Sequence, residues 1–167
     1  LSCPICYAGS GPHHQVHRSL ETIISMLDAV VANVREHGRC GVGLMTTSGA
    51  PQPDGLIGIA LSTETRTGFY VPLAASEGLA LTEHLDHATV FARLGPLLED
   101  ETTAVVGHDL KQIMLWLAPH GIRLRGLELD TMLAGYLLDA ARATPTLETI
   151  ALEHTGYRAR TAEDIRG

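Results

Sequence analysis

The residues whose types could do chemistry fall into three groups. Near the N-terminus, Cys3, Cys6, His13 and His14, with His17 behind them, offer the thiolate and imidazole donors that zinc takes. A single Cys-x-x-Cys does not close a zinc site, and the histidine spacing matches no standard knuckle. A zinc-dependent interaction module here therefore competes with a plain inter-domain linker. Asp54, Glu64, Asp109 and Asp130 carry the hard oxygen donors that Mg²⁺ or Mn²⁺ prefers. Asp54 and Glu64 lie in turn-rich sequence, where acids are usually just solvated. Asp109 and Asp130 each precede an apolar run of helical character, the place of an N-cap whose carboxylate accepts from backbone N–H groups. Asp109 with Gln112 three residues later has the form of a capping box. Lys111, Arg123 and Arg125 are the basic residues that could meet a phosphate, with Arg158, Arg160 and Arg166 a second set near the C-terminus. His108 would need a carboxylate or a metal beside it to serve as a general base.

The elements that must position these groups follow from periodicity. Residues 1–18 are rich in Cys, Pro, Gly, Ser and His without an apolar period, and read as a linker or tail. From Ser19 to His37, Leu20, Ile23, Ile24, Leu27, Val30, Val31 and Val34 recur at helical spacing, and Gly38 stops the run. Strand-like segments follow at Arg39–Thr46, Gly55–Ser62 and Thr67–Leu73, joined by connections short enough for an antiparallel meander. A helix is expected within Leu81–Leu98, clearest from Thr89 onward. The order then becomes strand (Thr103–Val106), helix (Asp109–Pro119), strand (Gly126–Leu129), helix (Thr131 to about Ala141) and a last helix at Thr146–His154. A meander followed by βαβ-type units specifies a mixed α/β sheet flanked by helices.

Composition bounds the function classes. At 167 residues, 45% of them hydrophobic, the chain suits one globular domain, here residues 19–167 after the tail. No apolar run is long enough to span a bilayer, so no membrane partner is expected. A net charge of −7, from 12 Lys+Arg against 19 Asp+Glu, is the wrong sign for a domain that grips nucleic acid unaided. DNA contact should then be weak or made through a neighbouring domain. Three cysteines, an odd number, fit reduced thiols in the cytoplasm. A first residue of Leu1 rather than Met suggests a piece of something longer.

Several segments, in order and without gaps, resemble one family. Residues 97–101 (Leu-Leu-Glu-Asp-Glu), 106–111 (Val-Gly-His-Asp-Leu-Lys), 121–126 (Gly-Ile-Arg-Leu-Arg-Gly) and 130–138 (Asp-Thr-Met-Leu-Ala-Gly-Tyr-Leu-Leu) look like the middle of the 3′–5′ exonuclease domain of bacterial DNA polymerase I. Residues 55–62 and 68–73 resemble its second and third strands, and 147–154 its next helix. The resemblance implies a ribonuclease H-like fold, with a three-strand antiparallel meander plus two parallel strands. It also implies phosphodiester hydrolysis at a 3′ end by two metal ions held on four acids.

The acids that this reaction needs are missing from the matched positions. The family's first-strand Asp-x-Glu falls on Gly43 and Met45, and residues 39–53 contain no Asp or Glu, so sliding the alignment does not restore the pair. The second-motif Asn-x-x-x-Asp reads Asp109 and Ile113, with the metal-binding end aliphatic. The third motif has no counterpart before Gly167. The resemblance thus implies a catalytically inactive domain kept as a platform for the polymerase domain of the same parent chain, with no cofactor of its own. The buried replacements are expected to be Val42, Leu44, Met45 and Ile113, closing the former cleft. Mg²⁺ or Mn²⁺ would be required only if an active site had been rebuilt from Asp109, Asp54 and Glu64.

Overall fold

The structure is a computed structural model that describes residues 20–47, 50–65, 67–73, 85–140 and 146–158. Helix α1 (Leu20–His37) buries Leu27, Val30, Val31 and Val34, the inner residues of the apolar stripe. It ends because Gly38 adopts φ +64°, which a side chain would disfavour, and from there its N–H reaches the Val34 carbonyl at 2.9 Å. Ser19, the expected cap, lies outside the described residues.

Strands β1 (Arg39–Thr46), β2 (Leu56–Ser62) and β3 (Phe69–Pro72) form the meander, β1 antiparallel to β2 and β2 antiparallel to β3. Strands β4 (Ala104–Gly107) and β5 (Leu127–Asp130) add in parallel on the other side of β1, giving the order β3-β2-β1-β4-β5. The mixed sheet is the one that the sequence specifies.

Side-chain alternation gives the sheet two unlike faces. Cys40, Val42, Ile59, Leu61, Val71 and Val105 share one face and are buried in the core. Gly41, Gly43, Met45 and Ala60 stand on the other, where each is at least partly exposed. The core face is covered by α1 together with helices α2 (His87–Leu98) and α3 (Leu110–Leu117), which contribute Val90, Phe91, Leu94, Ile113 and Leu117. Arg93 on α2 ties to Asp28 on α1 at 2.9 Å.

Several boundaries differ from expectation for local reasons. Helix α2 starts at His87 rather than Leu81, with Asp86 as its cap accepting the Thr89 N–H at 2.7 Å; residues 74–84 lie outside the description. Helix α3 stops at Leu117 and tightens into a 3-10 turn, Ala118–His120, because Pro119 has no N–H to continue the ladder. Helix α4 (Thr131–Leu138) is shorter than expected, and α5 (Leu147–Thr155) is capped by Thr146 through the Thr149 N–H at 3.3 Å. Neither α4 nor α5 contains a buried residue, although α4 is apolar on all sides.

Candidate functional site

The place to look for chemistry in a parallel β-α-β arrangement is the carboxyl end of the parallel strands, where β4 passes into α3. Gly107 closes β4 and pairs with Val42 of β1, so the two share the core face. A methyl group placed on Gly107 would lie 2.5 Å from Leu110 Cδ2, 3.2 Å from Ile113 Cδ1 and 3.2 Å from the Val42 carbonyl oxygen. The Ile113 side chain therefore reaches down onto the Val42 face, and it is only 5% exposed. Val42 is buried beside it and Leu44 packs against the same core. These are hydrocarbon side chains with no lone pair for a hard cation, so they do not fit a Mg²⁺ or Mn²⁺ ion.

The geometry also sorts the first-strand positions. Gly43 and Met45 lie on the sheet face opposite Val42, and Ile113 is therefore not on their side. The β1 pair that shares Ile113's face is Val42 and Leu44, which is again acid-free. Met45 does not join the buried replacements as expected: it is 51% exposed, with its sulfur 3.4 Å from the Tyr70 hydroxyl. Alternation forces this, since adjacent residues of a strand cannot both face one core.

Asp109 and Asp130 stand beside this point, at the α3 N-cap and opposite Gly107 on β5, and both are engaged by backbone. Asp109 sits in the left-handed region (φ 56°, ψ 60°), and its Oδ1 accepts the Gln112 N–H at 3.2 Å. Its own N–H is not held by the Gln112 side chain, as a capping box would have it, but donates to Asp130 Oδ1 at 3.1 Å. Asp130 Oδ2 accepts the Leu110 N–H at 2.8 Å, while Oδ1 also accepts from Met132 (2.9 Å) and Leu133 (3.4 Å). One carboxylate thus caps the first turns of both α3 and α4. Partial burial pushes the Asp130 carboxyl up, but the four N–H groups outweigh it and hold it below the usual aspartate range. Sequence reasoning found only the α4 half of this role, because the α3 half depends on strands β4 and β5 lying side by side.

His108 is likewise committed. Thr131 donates its hydroxyl proton to the Gly107 carbonyl at 3.1 Å and accepts from His108 Nδ1 at 3.0 Å.

The remaining candidates are dispersed. Asp54 lies in a 3-10 turn, Pro53–Gly55, before β2, and Glu64 pairs with His37 Nε2 at 3.2 Å. Asp54, Glu64 and Asp109 do not assemble, and among the described residues no three His, Cys, Asp or Glu side chains are grouped to hold a metal ion. Lys111 is in the first turn of α3, at the carboxyl end of β4. Arg123 and Arg125 occupy the segment leading into β5, at the opposite end of the parallel strands. There the Arg123 N–H binds Glu99 at 2.9 Å and the Arg125 guanidinium binds Glu101 at 3.1 Å. The expected basic cluster is therefore two separate places, one of them interleaved with acids. Cys3, Cys6, His13 and His14, together with Arg160 and Arg166, lie outside the described residues. Cys40 is fully buried, and burial pushes its thiol up to about 11, so it has no thiolate chemistry near neutral pH. No helix among the described residues is long and apolar enough to cross a membrane.

Comparison with known proteins places this arrangement. Residues 55–167 match the family described as DNA polymerase I, ribonuclease H-like domain. The DNA polymerase I of Pseudomonas aeruginosa is 33% identical over 142 residues, which covers 84% of this chain and 15% of that protein. The chain thus spans about one seventh of that relative's length. Among solved structures, the POL domain of Pol1 from M. smegmatis, in complex with DNA primer-template and dNTP, superposes with a TM-score of 0.60 at 24% identity, covering 81% of this chain and 23% of that one. RNase D of Trypanosoma brucei gives a TM-score of 0.64 at 14% identity, covering 83% of this chain and 47% of that one. At those identities the two structures speak for the fold alone, a ribonuclease H-like one. Taken with the matched residues and the sequence identity, this chain belongs to the ribonuclease H-like, 3′–5′ exonuclease-like domain family of DNA polymerase I.

Proposed function

We propose that this chain is a catalytically silent exonuclease-like domain, serving as a structural platform for the polymerase part of a cytoplasmic DNA polymerase I in replication and repair. The observation that carries the reading is Ile113. It stands where the family resemblance puts a metal-binding acid, and it is buried on the Val42 face with aliphatic neighbours. Two-metal hydrolysis requires carboxylate oxygens to fix both ions and to raise the concentration of hydroxide at the phosphorus. The acid-free stretch at residues 39–53 supports the same conclusion in either register of β1.

A platform role draws support from the other end of the molecule. Leu133, Tyr136, Leu137 and Leu138 of α4 are all more than half exposed, and Leu127 and Leu129 of β5 are about half exposed. So many large apolar side chains exposed on one short segment are unusual for an independent surface. A polymerase part several times the size of this chain is the proposed cover, since the relatives are that much longer.

The test is a labelled single-stranded or mismatched 3′ end incubated with the protein and Mg²⁺ or Mn²⁺. No shortening is expected. Shortening that Asp109→Ala abolishes would replace this reading with a rebuilt metal site.

A further inference from the structure

A cluster of aromatic and titratable side chains stands apart from the α3–β1 junction. His87, the first residue of α2, stacks on His120 in the 3-10 turn after α3, with ring centroids 4.8 Å apart and planes inclined by 11°. Phe91, one turn along α2, closes on both rings, at 4.8 Å from His120 and 6.3 Å from His87. His87 Nε2 is 2.8 Å from the Leu56 carbonyl at the start of β2. A carbonyl can only accept, so Nε2 of His87 carries a proton and donates it. His120 Nε2 is buried without a hydrogen-bond partner. Three segments distant in sequence meet here: the Pro53–Gly55 turn with the start of β2, the start of α2 and the end of α3.

We propose that the stacked pair His87–His120 is a proton-sensitive latch, closed over the Pro53–Gly55 turn and the start of β2 while His120 is neutral and released when His120 takes a proton. Two effects oppose that proton. The Nε2 site is shut off from water and offers the new N–H no acceptor, and the new charge would lie face to face with the His87 ring. Burial first, and then the proximity of His87, hold His120 below the ordinary histidine range, while Asp54 in the turn acts in the opposite direction. Asp86 is committed to Thr89, and neither β2 nor residues 113–117 of α3 contribute a titratable side chain. The sign follows. The unfolded or opened chain binds the proton at the ordinary histidine value of about 6.5, and the closed form only at lower pH. Closure is therefore fully favoured above that value and weakens progressively as the pH falls from it.

The chain contains its own reporter. Its single tryptophan, Trp116, lies directly over Gly55 in the same turn, so close that a methyl group on Gly55 would come within 2.8 Å of the ring. Release of the turn should uncover that face of the indole. The experiment follows Trp116 emission maximum and acrylamide quenching from about pH 8 to about pH 5, with far-UV circular dichroism alongside. The expected result is a red shift and increased quenching at constant helicity, both lost in His120→Phe, which keeps the stack but cannot titrate. A constant Trp116 signal, a transition that persists in His120→Phe, or one that tracks loss of helicity would each overturn the latch. If His120→Phe does not fold, His87→Gln decides. It retains a donor for the Leu56 carbonyl and removes the facing imidazole that opposes the His120 proton, so the midpoint should move up in pH, and an unchanged midpoint would overturn the proposal.

Discussion

Ile113 is the residue on which the chemistry turns. Burying an isoleucine stabilises a fold by about 1.5–3 kcal/mol, and an unpaired carboxylate in the same place costs more than that. Ile113→Asp should therefore lower the melting temperature at neutral pH, and millimolar Mn²⁺ should not restore it. In a cleft that still held metal, the new acid would add a ligand and saturating Mn²⁺ would stabilise the fold by mass action. Recovery of the midpoint on adding Mn²⁺ would show that oxygen donors line the pocket after all. The aliphatic character of position 113 was legible in the sequence, because i to i+4 spacing from Asp109 fixes the position without any knowledge of the sheet. Which two β1 residues face Ile113 was not. That depends on how β1 pairs with β4, and a one-residue change of register exchanges Gly43 and Met45 for Val42 and Leu44.

Among the elements, the junction of β4, α3, β5 and α4 is held by one side chain. Removing a capping aspartate from one helix costs about 0.5–2 kcal/mol, and hydrogen bonds to a charged group are worth about 1.5–3 kcal/mol. Since Asp130 serves two helices, Asp130→Ala should destabilise the domain by roughly 2–3 kcal/mol in urea unfolding, above the usual range of single-cap effects. Because the Asp130 carboxyl is held below its ordinary range, this contribution is present at neutral pH and is lost as the pH falls through its lowered value. The wild-type and Asp130→Ala stabilities should accordingly converge in acid; a gap that stays constant down to strongly acidic pH would assign the effect to something other than the carboxylate. The helices and strands themselves were legible, most clearly α1, whose helical period runs to its stop at Gly38. The double cap was not, because half of its partners lie 20 and 21 residues away. The His87–His120 stack was invisible for the same reason, its two members standing on different helical segments with no characteristic spacing between them.

For the molecule as a whole, electrostatics argues against an independent grip on DNA. The net charge is −7, and Arg39, Arg93 and Arg125 each pair with an acid, Arg39 through both Nε and Nη2 to the Glu128 carboxylate. Lys111 stands at one end of the parallel strands and Arg123 and Arg125 at the other, so they do not form one basic patch. Composition revealed the net charge, but only the topology separates these cations. Anisotropy titration with single-stranded or primer-template DNA should give a Kd no tighter than roughly 10⁻⁴–10⁻⁶ M at physiological salt, weakening further as salt rises. Sub-micromolar binding at that salt would mean that a basic surface exists which these pairings conceal.

The Asp130 carboxylate has a further meaning in polymer terms. It grips the amides of residues 109 and 110 at one end of the α3 excursion and those of 132 and 133 at the other. The intervening chain is therefore a closed ring of about 20 residues, fastened by hydrogen bonds instead of a covalent crosslink. Closure entropy grows only with the logarithm of ring size, about 0.6 kcal/mol for each doubling. Lengthening the ring by a few residues between α3 and β5 would change its closing cost very little. The fastening point, in contrast, cannot move along the chain, because both helices start from it. Length variation should therefore collect within the ring, while the spacing from Gly107 to Leu110 and from Asp130 to Leu133 stays fixed.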